Sequence, residues 1–382
     1  MVQSRLVARL DDGTTGRSLT FPRARAVILA RSPDEVPDAL AAVEAAARGG
    51  AWAVGHIAYE AAAGLDPDAA VRVPDPRHPL VRFAVCDEAL RDEPWPEDLG
   101  AFRADPWALD CTEEAWRERI ARVHDAIRRG DTYQVNLTAR MRGRVTGDLL
   151  AAQRALVTAQ RGAYSAYLDT GDRTILSASP ERFVTWRDGV LTTTPMKGTA
   201  PRSADPMEDA RLREALLASP KERAENVMIV DLLRNDLSRV CADGSVRVER
   251  LLECESYPTV HQVTSTISCT PRPDLTLAGM LGALFPCGSI TGAPKLSTMQ
   301  VIAALEDSPR DVYCGAIGVL APGERMDASF SVAIRTAVVD HADGSAVYGV
   351  GGGITWDSVA AAELEEVRVK SRVLAALTES AP

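Results

Sequence analysis

Four lysines, Lys197, Lys221, Lys295 and Lys370, stand among 43 basic residues, and arginine supplies the rest. A surface charge or an ion pair accepts either residue. A nucleophilic amine does not, because guanidinium stays protonated whereas an ammonium in a desolvated site can release its proton. Lys197 lies in Pro195-Met196-Lys197-Gly198-Thr199, directly after a β-like run, and is the first candidate nucleophile. Chance survival of a few lysines in an arginine-rich composition is the plain alternative.

Carboxylates form the second group. Glu225 shares a helical stripe with Met228, Ile229 and Leu232, at offsets of three, four and seven. A carboxylate on an apolar stripe needs a cation, a metal or a proton. A buried pair with an arginine would satisfy it equally. Glu363, Glu366 and Lys370 fall at i, i+3 and i+7 on one helical face. A surface Glu366–Lys370 pair is the ordinary explanation. Two carboxylates from different helices meeting at one point would instead suit Mg²⁺, which takes one or two carboxylates, waters and an anionic substrate. Glu181, in Ser179-Pro180-Glu181-Arg182, starts a strand and has the chemistry of a general acid; a surface glutamate beside an arginine reads the same.

Several groups suit an anion. Gly351-Gly352-Gly353 ends a strand, where bare backbone N–H groups can approach a carboxylate, although glycine runs also make plain turns. Arg335 alternates with apolar strand neighbours and has the geometry of a bidentate clamp or of a solvent-facing strand arginine. The stretch from Phe285 to Lys295 reads as a tight loop entering a helix near Pro294, with Ser289 and Thr291 offering hydroxyls. It lacks the Walker spacing. His261 taken alone reads as a satisfied structural histidine. Together these residues describe a Mg²⁺-assisted site for a small polyanion, with an amine and a carboxylic acid at hand.

The elements that must position them follow from pattern. A helix is expected over 33–48, capped by Ser32 and stopped by Gly49-Gly50, then a strand over 52–60. Residues 74–106 are rich in Pro and Asp and read as a crossing segment. Trp116, Ile120, Val123 and Ile127 recur at helical spacing up to Gly130. Tyr133, Val135, Leu137 and Ala139 alternate with Gln134, Asn136 and Thr138 as a half-buried strand. Short strands follow over 165–170, 174–178, 182–186 and 190–194, with an Asp188-Gly189 hairpin turn between the last two. Helices are expected over 206–218, 221–235, 275–284 and 293–305. Strands return over 313–320, 329–339 and 346–354, before a helix over 358–377. Short turns between neighbouring strands imply antiparallel pairing and an α+β fold.

The 382 residues are 46% hydrophobic, ample for a core, and carry a net charge of −10, which argues against nucleic acid as a partner. The chain lacks a signal pattern and any apolar run of membrane-spanning length, so a cytoplasmic location without membrane contact is expected. Seven scattered cysteines with no CxxC pair indicate neither a zinc site nor a disulfide framework.

The ordered segments resemble the chorismate-utilising enzymes, which include the first components of anthranilate synthase and aminodeoxychorismate synthase and the isochorismate and salicylate synthases. The motifs are Gly130-Asp131-Thr132-Tyr133-Gln134-Val135-Asn136-Leu137, Ser179-Pro180-Glu181-Arg182-Phe183, the Lys197 pentapeptide, Ala224-Glu225-Asn226 through Asp236, Gly288 to Lys295, and the terminal glycines with Glu363 and Glu366. They span roughly 112–375. The resemblance implies large antiparallel sheets packed with helices, an integrated N-terminal segment over 1–110 and a chorismate-binding catalytic domain over 111–382. Water-adding members carry a lysine where this chain has Gln134. Anthranilate synthases usually read Pro-Ile-Ala-Gly-Thr where this chain has Lys197, and aminodeoxychorismate synthases read Pro-Ile-Lys-Gly-Thr. Amination of chorismate to 4-amino-4-deoxychorismate, the step before 4-aminobenzoate, is therefore implied.

The same resemblance implies roles. Mg²⁺ would be held by Glu225 and Glu366 with Glu363 nearby. Gly352, Gly353, Arg335 and Tyr313 would hold the enolpyruvyl carboxylate, with Gln134, Gly351, Thr291 and Lys370 also facing substrate. Glu181 would protonate the departing hydroxyl, Lys197 would attack C2, and His261 and Ser289 would position the ring. Ammonia would come from a separate glutamine amidotransferase subunit or free ammonium, since no glutaminase segment is recognised. Anthranilate synthase component I and a non-catalytic chorismate-binding homologue are the alternatives. Cys287 departs from the family's usual small residue, and no tryptophan-binding motif is found.

Overall fold

The computed structural model describes residues 6–257 and 260–378. Among these, the strands assemble into two antiparallel sheets, one of eleven strands and one of ten. Near one edge of the first sheet lies the long Gln134–Gly147 strand, which runs against Ser345–Ile354 over ten residue pairs. Thr336–Asp340, Arg173–Ser179, Tyr164–Asp169 and Ala8–Asp12 continue it outward. The second begins at Met196–Pro201 and passes through Val260–Cys269, Val190–Thr194, Arg182–Arg187, Ala328–Val332, Ala316–Leu320, Trp52–Ile57 and Val81–Cys86 to Ala26–Ala30. The α+β class is as expected. The first 110 residues supply strands to both sheets.

Period-two patterning makes this possible. Val135, Leu137 and Ala139 turn to a helical layer holding Trp116, Leu156 and Leu364, while the intervening Gln134, Asn136 and Thr138 face the other way. A second apolar cluster joins the other sheet to Leu40, Leu233 and Met280 on its own helices. A third, with Ala8, Val54, Ile175 and Ile317, lies between the sheets. The order of layers is helix, sheet, sheet, helix. Helix Glu113–Arg129 illustrates local coding: Thr112 Oγ1 accepts from Ala115 N, acids open the first turn, arginines close the last, and Gly130 ends it at φ +81°.

Three expectations are corrected. The strand read over 329–339 is two strands in different sheets, Ala328–Val332 and Thr336–Asp340. The chain crosses between sheets at Ala333–Arg335, where Arg335 takes φ +50°, so Arg335 is not a strand residue. The 74–106 segment holds a full strand, Val81–Cys86, paired on both sides; surrounding prolines masked its short apolar alternation. Cys241 and Cys269 form a disulfide, which spacing alone did not suggest because the pairing is made by tertiary approach across 28 residues.

Candidate active site

One loop reaches both sheets. Its Gly292–Ala293 end pairs with Val135 and Gln134 of the first sheet. Its Gly288–Ile290 turn meets residues of the second sheet. Gly198, at φ +81°, sits in an irregularity of the Met196–Pro201 strand where the register slips between Lys197 and Thr199. Such a bulge re-aims the adjoining side chain. Lys197 Nζ donates to the Ser289 carbonyl at 3.3 Å. Ser289 Oγ donates to Glu181 Oε1 at 2.6 Å. Glu181 is 4% exposed. Burial raises its pKa to about 7, against the opposing pulls of the Ser289 bond, Lys197 and Lys370. Amine, hydroxyl and a carboxyl near half-protonation at neutral pH thus share one chain of contacts.

Two helices bring the other carboxylates. Glu225 rides on Pro220–Ser238, capped by Ser219, and Glu363 and Glu366 ride on Ala360–Ser371. Burial raises the pKa of Glu225 and of Glu363, and the charge on Glu366 adds to both. Burial also opposes ionisation of Glu366, but Lys370, 2.7 Å away, together with Lys221 and Lys197, outweighs it and holds that carboxylate below its usual range. Ser358 Oγ donates to Glu363 at 2.6 Å. Gly352 completes the group: a Cβ there would lie 3.5 Å from Glu363 Oε2, 3.6 Å from Glu366 Oε1 and 3.8 Å from Lys370 Nζ. Lys370 Nζ also donates to the Gly351 carbonyl at 2.9 Å. At Gly353 a Cβ would stand 2.2 Å from Gln134 Nε2, so the bare backbone lets Gln134 lie against the strand. Gln134 is buried and its Oε1 has no partner among the described residues.

Among the described residues, no three His, Cys, Asp or Glu side chains stand close enough to ligate a metal by themselves. The carboxylates of Glu225 and Glu363, both raised in pKa by burial and by the charge of Glu366, nevertheless offer with it the donor chemistry that suits a hard dication whose remaining ligands are water or substrate oxygens.

The structure brings together Lys197, Glu181, Ser289, Glu225, Glu363, Glu366, Lys370 and Gly352. Lys221, which sequence reasoning passed over, joins them 3.9 Å from Glu225; its i,i+4 spacing was the available signal. Three of the four lysines therefore act on this group, and Lys295 instead pairs with Asp236 at 2.6 Å. Arg335 makes no side-chain hydrogen bond or ion pair with any described residue. Burial lowers its pKa, against the pull of Tyr348, whose hydroxyl donates to the Lys370 carbonyl at 3.3 Å.

Three expected site residues are engaged elsewhere. His261 contacts Asp209 through Nε2 at 3.0 Å and Ser256 through Nδ1 at 2.9 Å, so both ring nitrogens are used. Thr291 spends its hydroxyl on the Cys287 and Gly288 carbonyls, closing its own loop. Tyr313 stacks on Gly349, where a Cβ would come within 2.0 Å of the ring, and lies beneath the Arg140 guanidinium. Cys287 lies 3.2 Å from Ser289 Oγ, and burial pushes its thiol up to about 12, so it packs rather than reacts.

This two-sheet scaffold, with converging glutamates and a buried carboxyl beside a lysine, is that of a chorismate binding enzyme: that family matches residues 99–376, and the chain belongs to it. Within it, the chain is 44% identical over 260 residues to aminodeoxychorismate synthase component 1 of Klebsiella aerogenes, covering 68% of this chain and 57% of that protein. It is 38% identical over 366 residues to aminodeoxychorismate synthase of Streptomyces griseus, covering 86% of this chain and 50% of that one. Anthranilate synthase component 1 of Streptomyces coelicolor is 39% identical over 309 residues, covering 77% and 59%. The chain thus spans about half to three-fifths of the length of these relatives. The crystal structure of anthranilate synthase component I from Streptococcus pneumoniae superposes with a TM-score of 0.81 at 25% identity, over 94% of this chain and 92% of that one. Among the described residues no helix is long and apolar enough to cross a membrane.

Proposed function

We propose that the chain aminates chorismate to 4-amino-4-deoxychorismate, with residues 111–382 as its catalytic part. The observation that carries this reading is the contact chain from Lys197 through Ser289 to the buried Glu181. The free amine of Lys197 attacks C2 of chorismate. The ring double bond shifts as the C4 hydroxyl leaves, taking the Glu181 proton to depart as water. Ammonia then adds at C4, the double bond shifts back, and Lys197 is expelled from C2 as the amine. The extra proton on nitrogen returns to Glu181, so chorismate and ammonia yield product and water.

Arg335, free of protein carboxylates, suits the enolpyruvyl carboxylate. The backbone at Gly351–Gly353 suits the same group, and Gln134 offers an amide rather than an ammonium at the ring. Mg²⁺, held by Glu225, Glu363 and Glu366, would neutralise the ring carboxylate of bound chorismate. Ser289 orients Glu181. We assign Thr291, Tyr313 and His261 supporting rather than direct parts. The relatives named component 1 favour a separate ammonia-supplying amidotransferase subunit, and we place the reaction in the cytoplasm.

Incubation with chorismate, Mg²⁺ and ammonium tests the reading. Aminodeoxychorismate without pyruvate is expected. Release of pyruvate with fluorescent anthranilate overturns it in favour of the anthranilate synthase reaction. Lys197→Ala should abolish turnover while the protein stays folded, and full turnover by that variant removes the nucleophile.

A further inference from the structure

A cavity of about 290 Å³ lies on the face of the first sheet opposite its helices. Its floor includes Arg142, Arg173, Val338 and Val347, and the segments 74–80 and 308–313 form its roof. None of Lys197, Glu181, Ser289, Glu225, Glu363 or Glu366 lines it. Its size lies near the lower end of small-ligand pockets, roughly 300–1,000 Å³.

The polar groups around it are unevenly satisfied. The lining carboxylates are committed. Glu60 accepts from the backbone N–H groups of Arg310 and Asp311, and Asp311 takes Arg173 and His78. Asp75 takes Arg77, and Asp340 accepts from Ala342 N. Arg173 is not fully used. It is 3% exposed, reaches Asp311 through Nη1 at 2.5 Å, and has no acceptor for Nε. A buried guanidinium N–H without an acceptor is costly and uncommon in a native interior. Beside it, Val338 and Val347 present apolar surface, and Arg142 stands half-exposed.

We propose that this cavity on the first sheet is a second small-molecule site, separate from the candidate active site, for an organic monocarboxylate whose anion meets Arg173 and whose apolar body lies over Val338 and Val347. The site is linked to the Ser289 loop through one hydrogen bond. Arg310 lines the cavity and donates to the Ile290 carbonyl at 2.8 Å, next to Ser289.

Calorimetric titration of the full chain with benzoate tests this. Benzoate should bind the wild type and Arg335→Ala alike. It should bind Val347→Trp, which fills the cavity, roughly tenfold more weakly or worse. Neutral benzamide should bind more weakly than benzoate. Absence of benzoate binding, or equal binding of benzamide, overturns the proposal. So does benzoate binding that survives Val347→Trp but is lost in Arg335→Ala, because that locates it at the candidate active site. Val347→Phe replaces the tryptophan variant if circular dichroism shows that one unfolded. Binding heat is read without turnover, so its failure leaves the amination reading intact.

Discussion

In the proposed reaction Glu181 has to hold a proton to expel the hydroxyl, and its surroundings set the pH at which it does. Burial lifts it to about 7 and the Ser289 bond pulls it back. Activity should therefore fall as pH rises through about 7, the acid form being lost. In Ser289→Ala the carboxylate loses the bond that favours its charged form, so the alkaline limb of kcat/KM should move to higher pH. An unmoved limb would mean that another group titrates. Glu181→Gln keeps the shape but has no proton to give, and should lower kcat by roughly 10²–10⁴-fold with little change in thermal stability. At Gly352, a valine side chain would enter the space shared by Glu363, Glu366 and Lys370. Gly352→Val should bind chorismate weakly in calorimetry while keeping the wild-type circular dichroism spectrum.

At the scale of elements, helix Pro220–Ser238 has two tasks. Its N-terminal half carries Glu225, and its C-terminal half carries Asp236, which is buried with Lys295 at the start of the helix after the Ser289 loop. Lys295 Nζ also donates to the Leu284 carbonyl. Lys295→Met would leave Asp236 as an unpaired buried carboxylate, a loss of about 3–5 kcal/mol. Chemical denaturation should show that drop at neutral pH, with part of it recovered in the Asp236→Asn, Lys295→Met double variant. An additive pair of losses would mean the two side chains do not depend on one another. The helix is also tied to the Val260–Cys269 strand through Asn226, whose Oδ1 accepts from Ser265 Oγ at 2.6 Å. Carboxylate, strand and loop therefore share one rigid support.

Across the whole molecule, buried carboxyls make stability depend on pH. Glu60 and Glu181 are both lifted to about 7, chiefly by burial. An unfolded glutamate titrates near 4.3. Between these values the folded state binds more protons than the unfolded chain, so the contribution of these two groups to stability falls as pH rises through that window. Thermal melts from pH 5 to 8 should show a shallower decline in Glu60→Gln than in the wild type; parallel curves would exclude Glu60 as a source. The Glu306–Arg310 pair acts across layers. Glu306 accepts from Thr138 on the first sheet, and Arg310 reaches the Asn136 and Ile290 carbonyls.

Local coding left most elements legible. Helices over 206–218 and 275–284, and the strand ending in Gly351-Gly352-Gly353, lie where period and capping residues put them. The chemical types at Lys197, Glu181, Glu225, Glu363 and Glu366 were equally plain, since an unpaired carboxylate on an apolar stripe announces a need for a partner. The sequence by itself settled the residue types, the α+β class and the motif order. Only the tertiary structure decided which partner each group has. Strand 329–339 broke because Arg335 turns the chain from one sheet to the other. His261 met Asp209, 52 residues away, and three lysines converged from separate elements. Periodicity is a property of neighbours along the chain, whereas desolvation and ion pairing depend on approaches that only the packed sheets create.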